Sequence, residues 1–370
     1  MHFPPLSQIN QPMTKVLSQG ATIGILGGGQ LGRMLSVAAS RLGFKTHIFE
    51  PGANPPAGQV ADAVTGAPYS DLAALTAFAN SVDVITFEFE NIPTQALDTL
   101  EKLRPVLPAR NALATSQDRI AEKEFLSDLG VDVASYANVE TAVDLASAIA
   151  TVGAPSILKT RRFGYDGKGQ ARLKTPDDAT KAWNDLGNTP CVLEGFVDFS
   201  HEVSVIGARS QSGEVVCYDP GENVHRDGIL HTTTLPAKLT TAQRTDAVIL
   251  TGQILNALDY VGVIGVELFV TSSGLIVNEI APRVHNSGHW TQNGCIIDQF
   301  EQHIRAVAGW PLGDGKRHSN VTMTNLIGDE VLDVAKLSSD ANIGLHLYGK
   351  SDAKPGRKMG HVNKITGPAV

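Results

Sequence analysis

The stretch "VIGVELFVTSSGLIVNEIAPR", Val263 to Arg283, sets apolar runs on either side of Ser272-Ser273-Gly274. A short loop with glycine in the left-handed position closes a β-hairpin. Counting outward from that loop, Thr271 faces Leu275, Phe269 faces Val277 and Glu267 faces Glu279. Strand side chains alternate between faces, so both carboxylates fall opposite each other on one face. Like charges placed there are destabilising, and partial burial drives one of them to protonate. Acids on a wet face are the plain alternative. The neighbours Val266, Leu268, Ile276 and Ile280, apolar on at least one side, weigh against it. A divalent cation between the carboxylates resolves the conflict. A site with so few side-chain oxygens suits Mg²⁺ (or Mn²⁺ in its place), which keeps waters and takes phosphate oxygens. Mg²⁺ held this way implies a nucleoside triphosphate.

A second stretch, "RRFGYDGKGQ" at residues 161–170, is too rich in glycine and charge to build a core. The flanking "SILKTRR" and "QARLK" read as strands. Its glycines let backbone N–H groups approach a ligand, and Lys168 on the loop with Lys159 on the strand before it adds positive charge. A flap of this kind opposite a metal-binding pair matches phosphate clamping; an ordinary hairpin turn is the alternative. It is not a Walker A loop, because G-x-x-x-x-G-K-[ST] does not occur.

Towards the N-terminus, "ATIGILGGG", "KTHIFE" and "DVITFEFE" read as strands that alternate with the helical patterns "QLGRMLSVAASRLG", "LAALTAFANS" and "PTQALDTLEKL". That alternation predicts a Rossmann-like parallel sheet over residues 21–118. Gly27, Gly29 and Gly32 satisfy G-x-G-x-x-G at a strand-to-helix turn, and Glu50 closes the second strand. Alone, this points to a nicotinamide or flavin enzyme, but any tight turn of this type selects glycine. A polar helix, "NALATSQDRIAEKEFLSDLG", runs on to Gly130, with residues 119–130 as the connector. A small α+β unit follows over 131–198, with Thr175 capping a helix and Pro176 at its first position. The longer strands "HEVSVIGARS", "EVVCYDP", "GILHTTTLP", "VIGVELFV" and "LIVNEIA", with one helix at "AQRTDAVILTGQILNALDY", predict an antiparallel sheet domain over 199–370. The fold class is thus α/β joined to α+β.

The chain has 370 residues, 42% hydrophobic, and a formal net charge of -8. An acidic protein is a poor general nucleic-acid binder, since that affinity comes from neutralising phosphates. Cys191, Cys217 and Cys295 form neither metal-ligand spacing nor a disulfide framework and read as buried thiols. No apolar run approaches the length of a membrane span. "MHFPPLSQINQPMTK" lacks a signal peptide's apolar centre, and residues 1–20 read as a flexible tail. The expected setting is the cytoplasm, with no nucleic-acid or membrane partner.

The segments "GILGGGQLGRML", "TFEFENIP", "GYDGKGQ", "HEVSVIGAR", "VNEIAPRVHNSGHWT" and "PGRKMGH" occur in this order between Thr22 and His361. Together they resemble the ATP-grasp superfamily, specifically its 5-(carboxyamino)imidazole ribonucleotide synthetases of purine biosynthesis. The resemblance implies an ATP-grasp fold and an ATP-dependent ligase, without biotin or nicotinamide. Bicarbonate becomes carboxyphosphate, and 5-aminoimidazole ribonucleotide is carboxylated to give the carbamate, ADP and phosphate. It also implies a homodimer, and a separate mutase that consumes the unstable product. Other carboxylate–amine ligases, a formate-using transformylase, a nicotinamide-dependent oxidoreductase and a non-catalytic nucleotide sensor are the competing readings.

By the same resemblance, Arg119 and Lys159 contact ATP phosphates. Gly164, Tyr165, Asp166, Gly167, Lys168, Gly169 and Gln170 close over them, with Lys168 among the catalytic groups. Glu194, Gly195, Phe196 and Val197 receive adenine through their backbone, Glu202 the ribose, and His225 lies near the nucleotide. Glu267 and Glu279 become the Mg²⁺ ligands. Ala281 stands where many ATP-grasp enzymes have asparagine, so either a third protein ligand is absent or Asn278 reaches in its place, and the coordination number stays open. Arg283 holds bicarbonate and carboxyphosphate, and either His285 or His289, in a polar loop with Asn286 and Ser287, moves the amine proton. That loop reads alternatively as a support that only orients Arg283. Lys354 and Arg357 take the ribonucleotide's 5′-phosphate, or form a solvated basic loop. Tyr165, Asp166 and Glu88 face the imidazole ribonucleotide.

Overall fold

The computed structural model describes residues 16–164 and 167–369. The first unit contains β1 (Thr22–Leu26), β2 (Lys45–Phe49), β3 (Ala63–Thr65) and β4 (Val84–Phe87) in the parallel order β3-β2-β1-β4. Helices α1 (Gln30–Arg41), α2 (Leu72–Asn80) and α3 (Thr94–Leu100) connect and cover it. Asp71 accepts from Ala74 N at 2.9 Å to start α2. Burial on both faces explains the continuous apolar runs of β1 and β4.

The polar helix expected over 111–130 is two helices, α4 (Arg110–Ser116) and α5 (Arg119–Asp128). Asp118 causes the break. Its Oδ1 accepts from Ile120 N at 3.0 Å, capping α5, and its carboxylate also holds Arg161 through contacts of 3.0 and 2.7 Å. A cap inside a polar helical run has no period of its own, so hydrophobic spacing could not reveal it.

The small unit is an antiparallel sheet of β5 (Tyr136–Val139), β6 (Ser156–Thr160), β7 (Gln170–Leu173) and β8 (Cys191–Gly195), ordered β5-β8-β6-β7. Helices α6 (Ala142–Val152) and α7 (Ala179–Asp185) close a separate small core with Leu145, Leu158, Trp183 and Leu193.

The last unit is a nine-stranded sheet. It contains β9 (His201–Arg209), β10 (Val215–Cys217), β11 (Gly221–Arg226), β12 (Ile229–Thr234), β13 (Gly262–Val270), β14 (Leu275–Ala281), β15 (Ser319–Ile327), β16 (Ile343–Leu347) and β17 (Lys358–Pro368). Helix α8 (Thr241–Ala257) packs on one face with Val203, Val205, Val266 and Leu268. After the short α9 (Thr291–Gly294), α10 (Gln299–Ala308) packs with Ile206 and Val263 in a core that also includes Ile23, Leu35 and Phe44 of the first unit. The sequence reading had no place for α10 or for the strands after β14; these complete the same sheet.

Residues 17–20 are not a loose tail. Leu17 N donates to Ala308 O at 2.9 Å, and Trp310 Nε1 donates to Leu17 O at 2.8 Å. Residues 1–15 of the tail lie outside the described residues.

Candidate active site

Glu267 and Glu279 are paired across β13 and β14, as the hairpin count expected, but the outer rungs differ. Val270 pairs with Leu275, so the loop is Thr271–Gly274, and Phe269 pairs with Ile276 rather than Val277. A bulge between Glu267 and Leu268 on one side, with Asn278 as the extra residue on the other, restores the acid pair. Two register errors thus cancelled. The bulge frees the Asn278 carbonyl, which accepts from the buried Lys123 Nζ at 2.7 Å. The Asn278 amide turns towards Glu267, with Nδ2 3.5 Å from Oε2.

The Glu267 side chain is 13% exposed and that of Glu279 37%. Burial, and then the charge of Glu279, push the Glu267 carboxyl up to about 7. Burial alone would also raise Glu279, but Arg119 and Lys159 outweigh it and hold it below the usual range. One acid ionised and one strained towards neutrality is the signature of a pair short of positive charge. Among the described residues no group of three or more His, Cys, Asp or Glu forms a metal-binding cluster. The donors present are two opposed carboxylates with an amide beside them, a set that fits a hard cation completed by phosphate oxygens and water.

Cations from two elements, α5 and β6, face this pair. Arg119, at the start of α5, lies with Nη1 3.1 Å from Glu279 Oε2. Lys159 on β6 reaches Glu194 Oε2 on β8 at 2.8 Å, and Lys123 lies 3.8 Å from the other Glu194 oxygen. Glu122 accepts from Ile280 N at 2.7 Å; burial outweighs its cationic neighbours and raises its carboxyl to about 8. Glu202 lies 3.0 Å from His225, and this carboxylate raises the imidazole's pKa although burial works against it. Gly195 and Phe196 have their N–H groups bonded to Ser135 O (2.8 Å) and Pro155 O (3.1 Å), so only other backbone groups of 194–197 are available to a base. A cavity of about 330 Å³ adjoins them, lined by Phe196, Val197 and Thr271 among others.

The glycine flap is rooted on α5, where Arg119 N donates to Arg161 O at 3.0 Å. Its far end crosses to the large sheet: a Cβ on Gly167, whose φ is +75°, would lie 3.2 Å from Gly228 Cα between β11 and β12. Gly164, Lys168, Gly169 and Gln170 are on this bridge. Tyr165 and Asp166 lie outside the described residues.

Arg283 follows β14. Its Nε and Nη2 lie 2.9 and 3.3 Å from the two carboxylate oxygens of Glu90, and Nη1 donates to Val284 O at 3.2 Å. Glu90 is the second acid of "TFEFE"; the sequence pattern points only to the first, Glu88. His285 rests on Gly265, where no Cβ stands in its way. Ser204 Oγ donates to Ser287 Oγ at 2.6 Å, and Ser287 Oγ meets His285 Nδ1 at 2.8 Å. The serine proton thus falls to Nδ1, leaving the imidazole's own proton on Nε2, 3.6 Å from Glu267 Oε1. Burial, then Arg283 and Lys358, hold His285 well below the usual histidine pKa.

His289 sits deeper than His285, behind the loop. It is fully buried, its Nδ1 accepts from Gln299 Nε2 at 3.0 Å, and its ring lies 4.7 Å from that of His361. Its Nδ1 contact ties the loop to α10, while its Nε2 is buried without a hydrogen-bond partner. Asn286 is paired in both directions with Asn325, at 2.9 and 2.7 Å, and likewise stabilises the loop. Lys354 is 68% exposed, 3.9 Å from Asp352, and Arg357 Nη1 donates to Asp352 O at 3.1 Å. Lys358, at the start of β17, is closer to the centre, since its charge depresses both His285 and His289.

The glycine fingerprint is filled from within. Glu88 accepts from Gly29 N at 2.5 Å and Gly32 N at 2.9 Å, while Glu50 accepts from Gly28 N at 2.8 Å. These carboxylates occupy the helix N-terminus where a dinucleotide's pyrophosphate would bind.

Comparison with known proteins identifies the family. Family models match as a ribonucleotide synthetase preATP-grasp domain over residues 20–117, an ATP-grasp domain over 124–300 and a phosphoribosylaminoimidazole carboxylase C-terminal domain over 321–368. The N5-carboxyaminoimidazole ribonucleotide synthase of Brucella melitensis is 52% identical, with 94% of this chain and 97% of that protein covered. A crystal structure of an ADP complex of N5-carboxyaminoimidazole ribonucleotide synthetase superposes with a TM-score of 0.91 at 42% identity, covering 95% of this chain and 94% of the other. The Aspergillus clavatus enzyme, in complex with ADP and 5-aminoimidazole ribonucleotide, gives 0.88 at 32% identity, with 94% of each chain covered.

Proposed function

The chain belongs to the N5-carboxyaminoimidazole ribonucleotide synthase family, and from that premise we propose how its residues divide the chemistry. The protein is an ATP-dependent ligase that carboxylates 5-aminoimidazole ribonucleotide with bicarbonate in purine biosynthesis. The observation that carries the residue assignment is the opposition of Glu267 and Glu279 beneath Arg119 and Lys159.

Glu267 and Glu279, with the Asn278 amide alongside, would hold Mg²⁺, which would supply charge neutralisation for the triphosphate. Lys159 and Arg119 exchange their carboxylate partners for phosphate oxygens, and the flap from Gly164 to Gln170 excludes water from the transfer. Glu202 accepts from the ribose hydroxyls. A bicarbonate oxygen attacks the γ-phosphorus and ADP leaves. Arg283, its unpaired Nη edge free for a planar anion, holds the carboxyphosphate. Its C–O bond to phosphate then breaks, releasing CO₂ and phosphate. The exocyclic amine bonds to that carbon and its proton passes to the phosphate. His285, with its proton on Nε2, donates to the forming carboxylate and is not the base. Glu88 faces the ribonucleotide across its two glycine N–H bonds, and Lys354 and Arg357 take its 5′-phosphate. The working form is a cytoplasmic homodimer whose carbamate product passes to a separate mutase.

Bicarbonate labelled with ¹⁸O tests this reading. One labelled oxygen should appear in inorganic phosphate for each ADP formed, and ADP release should require both bicarbonate and ribonucleotide. Unlabelled phosphate would rule out the carboxyphosphate route, and ADP release indifferent to bicarbonate would rule out the carboxylation.

A further inference from the structure

Arg283 has five N–H groups in a planar fork. Glu90 takes the Nε and Nη2 side through two contacts of 2.9 and 3.3 Å, and Val284 O takes one proton of Nη1 at 3.2 Å. Two N–H bonds remain, one on each terminal nitrogen, along the Nη1–Nη2 edge. A guanidinium gripped on one edge presents the other in a fixed plane, the arrangement a planar one-carbon anion requires. Glu90 itself is well fixed. Gln117 Nε2 donates to Glu90 O at 2.6 Å and to Ile92 O at 3.1 Å, so the backbone that carries the carboxylate is clamped at the α4–α5 junction. That clamp does not involve the carboxylate, so removing the side chain leaves the loop anchored.

We propose that Glu90, contributed by the first unit after β4, is a positioning residue for the carboxylation step: it holds the Nε edge of Arg283 so that the Nη edge meets bicarbonate and then carboxyphosphate. This rests on Arg283 being the one-carbon anion's ligand. Glu90 does not touch the substrate and acts through the arginine. Its effect therefore belongs to bicarbonate and not to ATP, whose phosphates are held by Arg119 and Lys159.

Steady-state kinetics of the full-length protein carrying Glu90→Ala, Glu90→Gln, Glu90→Asp or Arg283→Lys test the proposal, with melting temperatures as a check on folding. Glu90→Ala should raise the KM for bicarbonate by about tenfold or more and leave the KM for ATP within about twofold. Glu90→Gln keeps one acceptor oxygen and should fall between Glu90→Ala and the parent. Glu90→Asp keeps the charge and should recover most of the loss. An unchanged bicarbonate KM in Glu90→Ala overturns the proposal, as does a parallel rise in the ATP and bicarbonate KM values, or an aspartate variant no better than alanine. Arg283→Lys separates the two claims: it should damage bicarbonate use whatever Glu90 does. If it leaves bicarbonate use intact, the reading of Arg283 fails and the role of Glu90 fails with it; if only the Glu90 variants are silent, Arg283 stands alone.

Discussion

At Gly265 an added Cβ would lie 2.7 Å from His285 Cβ and 2.9 Å from its Cγ, so the imidazole can rest on β13 only because that position is glycine. Gly265→Ala should therefore keep the fold and push His285 away from its Nε2 contact with Glu267. Since misplacing a catalytic group by about an ångström costs ~10²-fold in rate, kcat should fall on that order; an unchanged kcat in ribonucleotide-dependent ADP release would remove His285 from the chemistry. Lys354→Ala should raise the KM for ribonucleotide while leaving that for ATP near its parent value, and equal rises would deny it a phosphate role. Sequence showed the acids of the hairpin because side-chain alternation is a property of any strand. It did not show Glu90. Glu88 and Glu90 differ by two positions in "TFEFE", and only tertiary partners tell them apart: glycine N–H groups for one, Arg283 for the other.

Among the elements, α10 has no counterpart in the sequence pattern read above, yet it ties the first unit to the large sheet. His303 on α10 accepts from Val263 N on β13 at 3.1 Å through Nδ1, and its Nε2 meets Thr86 Oγ1 on β4 at 2.8 Å. With Nδ1 as acceptor the ring is neutral, and burial lowers its pKa to about 3. The stability it contributes is complete above the ordinary histidine pKa of about 6.5 and is lost as pH falls from there towards 3. One extra proton on unfolding corresponds to a slope of up to about 1.4 kcal/mol per pH unit in that window. His303→Gln should lower stability at neutral pH and flatten the acid limb of urea midpoints by one proton's share; an unaltered limb would mean that His303 does not titrate on unfolding. The buried His285, His289 and His361 steepen the same limb in the parent protein, because burial also depresses their pKa values.

Across the whole molecule, the first unit and the large sheet share a hydrophobic core through α1 and α10, whereas the small sheet has a core of its own. Arg41 of α1 adds contacts to Asp298 and Glu301 at 3.2 and 2.8 Å. Besides its chain connections, Arg161 and the flap, the small unit meets the rest where Lys123 approaches Glu194 at 3.8 Å and where Val277 N donates to Asp132 O at 2.8 Å. Its separate core is what would let it move as a unit. Bound ADP with Mg²⁺ should slow amide exchange in residues 167–173 by about tenfold or more while leaving β1 and β4 unchanged; exchange that slows uniformly, or not at all in the flap, would contradict a hinged lid. The alternation of strands and helices made the first sheet legible, and glycine with lysine exposed the flap. The shared core was not legible, since it joins residues hundreds of positions apart and no local pattern records that contact.

The proposed chemistry depends most on the grip of Glu267 and Glu279 on a divalent cation. Titrating the ADP complex with Mn²⁺ and following the free ion by electron paramagnetic resonance reads that grip without turnover. The parent protein should bind the ion in an ADP-dependent manner, and Glu267→Gln or Glu279→Gln should each weaken it by about tenfold or more while remaining folded. Equal Mn²⁺ affinity in the parent and both variants would contradict the account.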